Sequence, residues 1–285
     1  MLVFNRDQVI DDRQTFLMTP KQIREAAMLG IRNILAGSSV ASLSLLGSPQ
    51  MMLQYIADSL FLYKALSGRR GVPQKNVAEV LRSSRTQSIR LGNLDTNEAW
   101  LWPQALYTQD IVSLCLICQM IAPKVVFEIG TLKGYTAYHF ALNTPDETRI
   151  FTLDLPGDRR LHPSLPITAV DELHIRGRSR QAGYCFERSQ EATKITPLSG
   201  DSAVFDFAPY RRKVDFFFID GAHSYEYARS DTLNAVKCCH PGSVMAWHDY
   251  GKVSVPGVSR WVDEFAREQA VYSIPGGSVA FTILQ

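Results

Sequence analysis

Apolar residues in the later part of the chain, from about residue 96, fall into short runs separated by amphipathic segments. The runs predict five strands: KVVFEIG (124–130), RIFTLDL (149–155), KITPLSG (194–200), KVDFFFID (213–220) and GSVMAWHD (242–249). Helical periodicity between and after them predicts helices at 108–121, 134–143, 224–239 and 257–268. Strands that alternate with helices form βαβ units. The predicted fold is therefore α/β, a Rossmann-like and mostly parallel sheet.

The last two apolar runs differ from the others in their connection. AVYSI and SVAFTIL meet at Pro275-Gly276-Gly277, a turn short enough for a hairpin. A hairpin joins antiparallel strands. We therefore expect an antiparallel C-terminal strand on the sheet.

The first 95 residues have a different pattern, which predicts packed helices. Thr19-Pro20 begins KQIREAAMLGIRNIL, and Ser48-Pro49 begins QMMLQYIADSLFLYKAL. The polar stretch SGRRGVPQKN at 67–76 is typical of a linker. We predict two parts: a helical N-terminal region, 1–95, acting as a lid or dimerisation surface, and a ligand-binding domain, 96–285.

Composition narrows the class of protein. A net charge of +2 without a long basic run argues against a nucleic-acid or membrane surface. Five cysteines, an odd number, fit a reducing compartment, and MLVFNRDQVIDDR lacks the pattern of a signal peptide. We expect a cytoplasmic protein that acts on a small molecule and allows a homo-oligomer.

Polar residues end each predicted strand of the parallel sheet. The first strand leads into Glu128-x-Gly130-x-x-x-Gly134, and the second ends at Asp154, where an acid can bind ribose hydroxyls. A dinucleotide site would show GxGxxG, so this pattern suits an adenosyl ligand without phosphates and argues against a nicotinamide dehydrogenase.

The other three strands end in the same manner. Their last residues are Gly200-Asp201-Ser202, Asp220-Gly-Ala-His223 and His248-Asp249. One such acid is explained by turn hydrogen bonding. Five successive polar ends indicate a ligand site, because ligands of open parallel sheets bind outside the carboxyl ends of the strands.

These motifs, together with FIDGAHSYEYARSD and PGSVMAWHDY, resemble class I S-adenosylmethionine-dependent methyltransferases, and more narrowly methyltransferase family 24. Catechol-type, macrolide-sugar and rhamnosyl O-methyltransferases belong to this group. The resemblance covers about residues 105–285. It implies methyl transfer from S-adenosylmethionine to a hydroxyl of a sugar, glycosylated natural product or phenol, with Mg²⁺ as a second cofactor and a role in natural product biosynthesis.

The resemblance also implies roles for individual residues. Those implied to bind S-adenosylmethionine are Glu128, Gly130, Thr131, Gly134, Asp154, Asp201, Ser202 and Asp220. Asp220 and Asp249 match magnesium ligands, and His223 matches a general base. His248 departs from the pattern, because metal-using relatives generally carry an acid immediately before or at the matching pair.

Several alternatives stay open at this point. His223 could cap the following helix, and His248 could be the base or a core histidine bonded to backbone. Methylation of nitrogen or carbon would use the same cofactor site. A non-catalytic S-adenosylmethionine-binding module would retain the glycine loop without turnover.

Overall fold

The structure, a computed structural model, describes residues 37–44, 48–67, 71–82, 88–92, 104–155, 163–177 and 184–285. The helix predicted after Thr19-Pro20 lies outside these ranges.

A seven-stranded sheet has the order β3-β2-β1-β4-β5-β7-β6. The strands are β1 Val125–Ile129, β2 Arg149–Asp154, β3 Ile195–Ser199, β4 Val214–Ile219, β5 Cys239–Trp247, β6 Val271–Ser273 and β7 Ala280–Ile283. β1 to β5 pair in parallel, and β7 pairs antiparallel with both β5 and β6. The predicted α/β sheet and its antiparallel C-terminal hairpin are confirmed.

Helices cover both faces of the sheet. They are α1 Pro49–Ser67, α2 Val77–Leu81, α3 Gln104–Ile121, α4 Tyr135–Leu142, α5 Ala169–Gly177, α6 Tyr225–Cys238 and α7 Pro256–Phe265. Residues 37–44 are also helical, and 3₁₀ turns lie at Gln190–Lys194 and Ala208–Tyr210. Among the described residues, no helix combines the length and the apolar character that crossing a membrane requires.

β4 is an almost continuous apolar run because its side chains are buried on both faces of the sheet. Phe216 and Phe218 pack on one face with Phe140, while Phe217 packs on the other face with Trp247. Successive side chains of a strand point to opposite faces, so a strand covered on both faces needs apolar residues throughout. This burial places the polar residues at the strand ends, where the site forms.

The described part of the N-terminal region packs against the sheet domain. Arg260 of α7 forms a 2.8 Å ion pair with the buried Asp58 of α1. Residues 71–76 were predicted as a linker, but Gln74 pairs in parallel with Ser273 beside β6, and Val72 is buried. That linker prediction is wrong for these residues, because their backbone groups bond to the sheet edge. The division at residue 95 stays a prediction.

Thr232 joins two indole rings inside the domain. Its hydroxyl oxygen accepts from Nε1 of Trp247 and from Nε1 of Trp261, both at 2.8 Å, and donates to the carbonyl of Ala228. Thr232 is completely buried. One hydroxyl therefore satisfies two buried donors on β5 and α7.

We expect Thr232→Val to lower the free energy of unfolding by about 3 kcal/mol, because each unpaired buried donor costs about 1–3 kcal/mol. Thr232→Ser keeps the hydroxyl and is the matched control, with a much smaller loss. Urea unfolding followed by tryptophan fluorescence measures both. Equal losses in the two variants would show that the missing hydrogen bonds are not the cause.

Candidate functional site

The glycine loop after β1 contacts the end of β4. Gly130 has φ +101°, and a Cβ there would lie 1.9 Å from the carbonyl oxygen of Asp220. Gly134 has φ +75°, and its Cβ would lie 2.3 Å from the ring of Phe186. Residues other than glycine rarely adopt such φ values, and a Cβ at these distances would clash with its neighbours. The chain itself needs both glycines, and their predicted contact with the cofactor remains a prediction.

Glu128 lies beneath this loop in a buried hydrogen-bond chain. The Thr152 hydroxyl donates to its Oε2 at 2.5 Å, and the hydroxyls of Thr131 and Thr152 lie 2.7 Å apart. Burial raises the pKa of Glu128 well above its usual range, which favours the neutral carboxyl. Its Oε1 is buried and has no hydrogen-bond partner among the residues that the structure describes. Glu128 and Thr131, both predicted to line the cofactor, are thus brought together.

Asp154 links the end of β2 to the glycine loop. Its carboxylate accepts 2.7 Å hydrogen bonds from the backbone N–H groups of Leu132 and Leu155. The side chains of Leu132 and Val204, which follow β1 and β3, are exposed. A half-buried carboxylate with apolar side chains on the neighbouring loops fits the ribose and adenine of an adenosyl ligand.

Asp201, predicted to lie at the adenine edge of the cofactor, accepts hydrogen bonds from neighbouring protein groups. It accepts from the N–H groups of Ser164 and Ala203 and from the Tyr227 hydroxyl, at 2.7–3.0 Å. Burial alone would raise its pKa, but these hydrogen bonds outweigh burial and lower it. Ser202 beside it is buried. Asp201 therefore organises the loop after β3.

His223 is held between two carboxylates. Its Nδ1 lies 2.5 Å from Asp171 in the first turn of α5, and its Nε2 lies 2.8 Å from Asp249. The helix-cap alternative for His223 is wrong, because the cap of α6 is Ser224, whose hydroxyl accepts from the N–H of Tyr227. The ring of His223 is therefore directed at the ends of the strands.

His248, after β5, also bonds to carboxylates, and within the described residues its ring contacts side chains, among them the Ser278 hydroxyl at 3.3 Å. Nδ1 lies 3.0 Å from Asp220 and 3.1 Å from Asp249, and Nε2 lies 3.1 Å from Asp110 of α3. Ser278 fixes Asp110 with its N–H and its hydroxyl, both at 2.7 Å. We call the following residues the strand-end cluster: Asp110, Asp171, Asp220, His223, His248, Asp249 and Lys252.

In the strand-end cluster each histidine and the lysine lies next to at least one carboxylate. Burial would lower the pKa of both histidines, but the carboxylates outweigh burial and raise the pKa of His248 to about 10 and that of His223 well above its usual range. Both rings are therefore cationic at neutral pH. Burial would raise the pKa of Asp249, yet His248 and Lys252 hold it well below its usual range. Lys252 forms an ion pair with Asp249.

The predicted magnesium ligands can be tested against this arrangement. Ligand atoms of Asp220, His223 and Asp249 lie within 4.8 Å of one another, which is close enough for one cation. Mg²⁺ prefers oxygen ligands and keeps several waters. Here a ring nitrogen replaces one oxygen, and Asp249 already carries the Lys252 ammonium. The residues as arranged do not fit Mg²⁺, and its binding by Asp220 and Asp249 stays a prediction.

Three members of the cluster were not predicted from the sequence. The only signal for Asp171 is the sequence Thr168-x-x-Asp171, which makes reciprocal cap hydrogen bonds at the start of α5. Asp110 is a single acid in an apolar helix, and Lys252 lies three residues after Asp249. Each signal is local and common, so none identifies a site alone.

Comparison with known proteins shows what the sequence around this site is similar to. Residues 127–250 match a family model described as "Methyltransferase domain", that of methyltransferase family 24. No curated protein matches the sequence.

Solved structures with a similar fold include three methyltransferases. The O-methyltransferase TomG from Streptomyces achromogenes is 15% identical, with 70% of this chain and 100% of that chain covered and a TM-score of 0.42. A methyltransferase from Podospora anserina is 14% identical, covering 70% and 100%, with a TM-score of 0.46. An O-methyltransferase from Bacillus cereus is 18% identical, covering 82% and 99%, with a TM-score of 0.43.

The family match runs from within β1 to the residues that follow β5 and includes five of the seven residues of the strand-end cluster; Asp110 and Lys252 lie outside it. Residues 127–250, which carry most of the strand-end cluster, are therefore similar to the methyltransferase domain of family 24.

Proposed function

We propose that this enzyme transfers the methyl group of S-adenosylmethionine to a hydroxyl oxygen of a small molecule, and that His223 accepts the hydroxyl proton. The acceptor class is a sugar, a glycosylated natural product or a phenol. The observation that carries this proposal is the Asp171–His223 pair at the end of β4. A carboxylate that holds one ring nitrogen leaves the other to exchange a proton, the arrangement used for general bases.

The chemistry follows from the two nitrogens of His223. When bound, S-adenosylmethionine supplies an electrophilic methyl group on its sulfonium sulfur. Transfer of this methyl group would form the C–O bond and break the C–S bond, leaving the electron pair on the sulfur of S-adenosylhomocysteine. Nε2 of His223 would accept the hydroxyl proton. Asp171 keeps its bond to Nδ1 and stabilises the imidazolium that results. Alignment of oxygen and methyl group contributes the rest.

Before this step, His223 of the free enzyme has to lose a proton and its contact with Asp249. Nε2 of His223 is bonded to Asp249, and the ring is protonated at neutral pH. The acceptor hydroxyl therefore replaces Asp249 at Nε2, after His223 has lost a proton to solvent. Activity should rise with pH, because only the neutral ring accepts a proton.

Asp171→Asn tests this proposal. Removal of the carboxylate lowers the pKa of His223, so the rising limb of the pH–rate profile should move to lower pH. The maximal rate should fall by about 10–100-fold, because the imidazolium loses a charged partner. Profiles of S-adenosylhomocysteine formation, with sugars, glycosides and phenols as acceptors, measure both effects.

Asp215→Asn is the control for this experiment, because it breaks a second Asp–His pair, with His240, near the opposite ends of the strands. Asp215→Asn should leave the rising limb of the pH–rate profile where it is in the wild type. If the rising limb of Asp171→Asn does not move either, His223 is not the general base. Turnover with amine acceptors and with none of the hydroxyl compounds would contradict the proposed reaction.

Cofactor binding gives a separate prediction for Asp154. Asp154→Ala should weaken S-adenosylhomocysteine binding by about 10–100-fold, because hydrogen bonds to a charged group contribute about 1.5–3 kcal/mol. Calorimetry measures the dissociation constant. Asp206→Ala removes an exposed acid after β3 that accepts one bond, from the N–H of Ala208, and should change little. Unchanged affinity in Asp154→Ala would refute the ribose assignment.

Further properties remain part of this proposal. They are a role in natural product biosynthesis, a homo-oligomer and a cytoplasmic location. The balanced composition and the odd number of cysteines support the last of these. Mg²⁺ at Asp220 and Asp249, expected from the resemblance, is not part of the proposal, because the residues as arranged do not fit that ion.

A further inference from the structure

Lys252 is fixed against Asp249 by a tight turn. Asp249 has φ +63°, and its carbonyl accepts from the N–H of Lys252, three residues later. The Lys252 ammonium forms an ion pair with Oδ1 of the same aspartate. Only a third of the Lys252 side chain is exposed, so this charge is an ordered part of the cluster.

His248 supplies a second fixed cation. Nδ1 lies 3.0 Å from an Asp220 oxygen, and Nε2 lies 3.1 Å from an Asp110 oxygen. Carboxylate oxygens accept hydrogen bonds, so both ring nitrogens must donate, and a ring with two donors is an imidazolium. Ser278 holds Asp110 from the other side, which prevents the ring from turning away.

We propose that Lys252 and His248 are built-in cations that take the place of a divalent metal at Asp220 and Asp249. A metal ion would have to displace the ammonium from Asp249 and break the contacts of His248 with both carboxylates. Removing one partner of a buried pair leaves an unpaired charge, which is costly. This inference rests on the proposed function for its catalytic meaning, but metal binding can be measured without any acceptor.

The two cations also do chemical work that a metal would do. Positive charge next to Asp220 and Asp249 favours the alkoxide form of an oxygen held at the strand ends. Unlike a bound metal, these charges are covalently part of the chain. Methyl transfer should therefore be insensitive to chelators.

Binding of Mn²⁺, followed by electron paramagnetic resonance, tests the inference on the full chain. Wild-type protein should bind Mn²⁺ only weakly, with a dissociation constant of about 1 mM or more. Lys252→Met keeps most of the length of the side chain and removes its charge. This variant should bind Mn²⁺ at least about tenfold more tightly, a change of about 1.4 kcal/mol. Asp249→Asn in the Lys252→Met background should abolish the gain.

Lys237→Met is the matched control, because Lys237 is exposed on α6 and bonds only weakly to Asn234. Its Mn²⁺ affinity should equal that of the wild type. Micromolar binding by the wild type would overturn the inference without reference to any variant, as would an unchanged affinity in Lys252→Met. These binding results do not depend on finding an acceptor. The proposed methyl transfer and the replacement of a metal by Lys252 and His248 can therefore be refuted independently.

Discussion

His223→Gln is expected to lower the turnover number for methyl transfer by about 10²–10⁴-fold, the range that a general base contributes. Glutamine is similar in size and can bond to Asp171 and Asp249, but it does not take up a proton at neutral pH. The affinity for S-adenosylhomocysteine should change less than about threefold, because the assigned ribose contact is at Asp154. Steady-state rates and calorimetry separate the two effects.

His240→Gln is the control for this variant. His240 is also paired with an aspartate, Asp215, but it lies near the start of β5 and not at the strand ends. It should retain the wild-type rate. Equal losses of rate and of cofactor affinity in His223→Gln would indicate a structural role for this histidine.

Asp231→Asn should make the protein more stable at alkaline pH. Asp231 is completely buried on α6, and in the described part of the chain neither carboxylate oxygen has a hydrogen-bond partner of good geometry. Burial raises the pKa of Asp231 from 3.8 to about 7, although the nearby Ser202 hydroxyl offsets part of this. The native state therefore disfavours the ionised carboxylate.

The sign of the pH dependence follows from this raised pKa. Well below pH 3.8 the carboxyl is neutral in both the folded and unfolded states, so ionisation of Asp231 does not change the stability there. As pH rises from about 4 through 7, the unfolded state ionises first, and the wild type loses stability relative to the variant. The difference should reach about 4 kcal/mol by pH 8, at 1.36 kcal/mol per unit of pKa.

Urea unfolding of the wild type and Asp231→Asn at pH 4.5 and pH 8 measures this difference. Asp206→Asn, at an exposed acid, is the control and should show no such dependence. A gap that stays constant between the two pH values would show that Asp231 is ionised, or neutral, throughout.

The alternation of apolar runs was sufficient to predict the sheet, because a parallel strand covered on both faces has to be apolar along its length. The same pattern placed Asp154, Asp220 and Asp249 at strand ends, and their common edge followed from parallel pairing. Boundaries were less accurate at β5, which begins at Cys239, where α6 passes directly into the strand.

The partners of the histidines could not be predicted in this way. Asp171 and Asp110 lie 52 and 138 residues from the histidines that they contact. Both lie on helices, and their positions depend on how those helices pack against the sheet. An aspartate on a helix does not follow an apolar strand in the sequence, so local sequence patterns do not distinguish a buried site aspartate from one on the surface.

The contact between Gly130 and the carbonyl of Asp220 has a consequence for protein engineering. No side chain can be placed at residue 130 without moving the backbone that carries Asp220. A mutational library at this position should therefore return glycine alone among active clones, whatever acceptor is used for selection. Attempts to redirect the enzyme to new acceptors will need diversity in segments that do not fix the strand ends to one another.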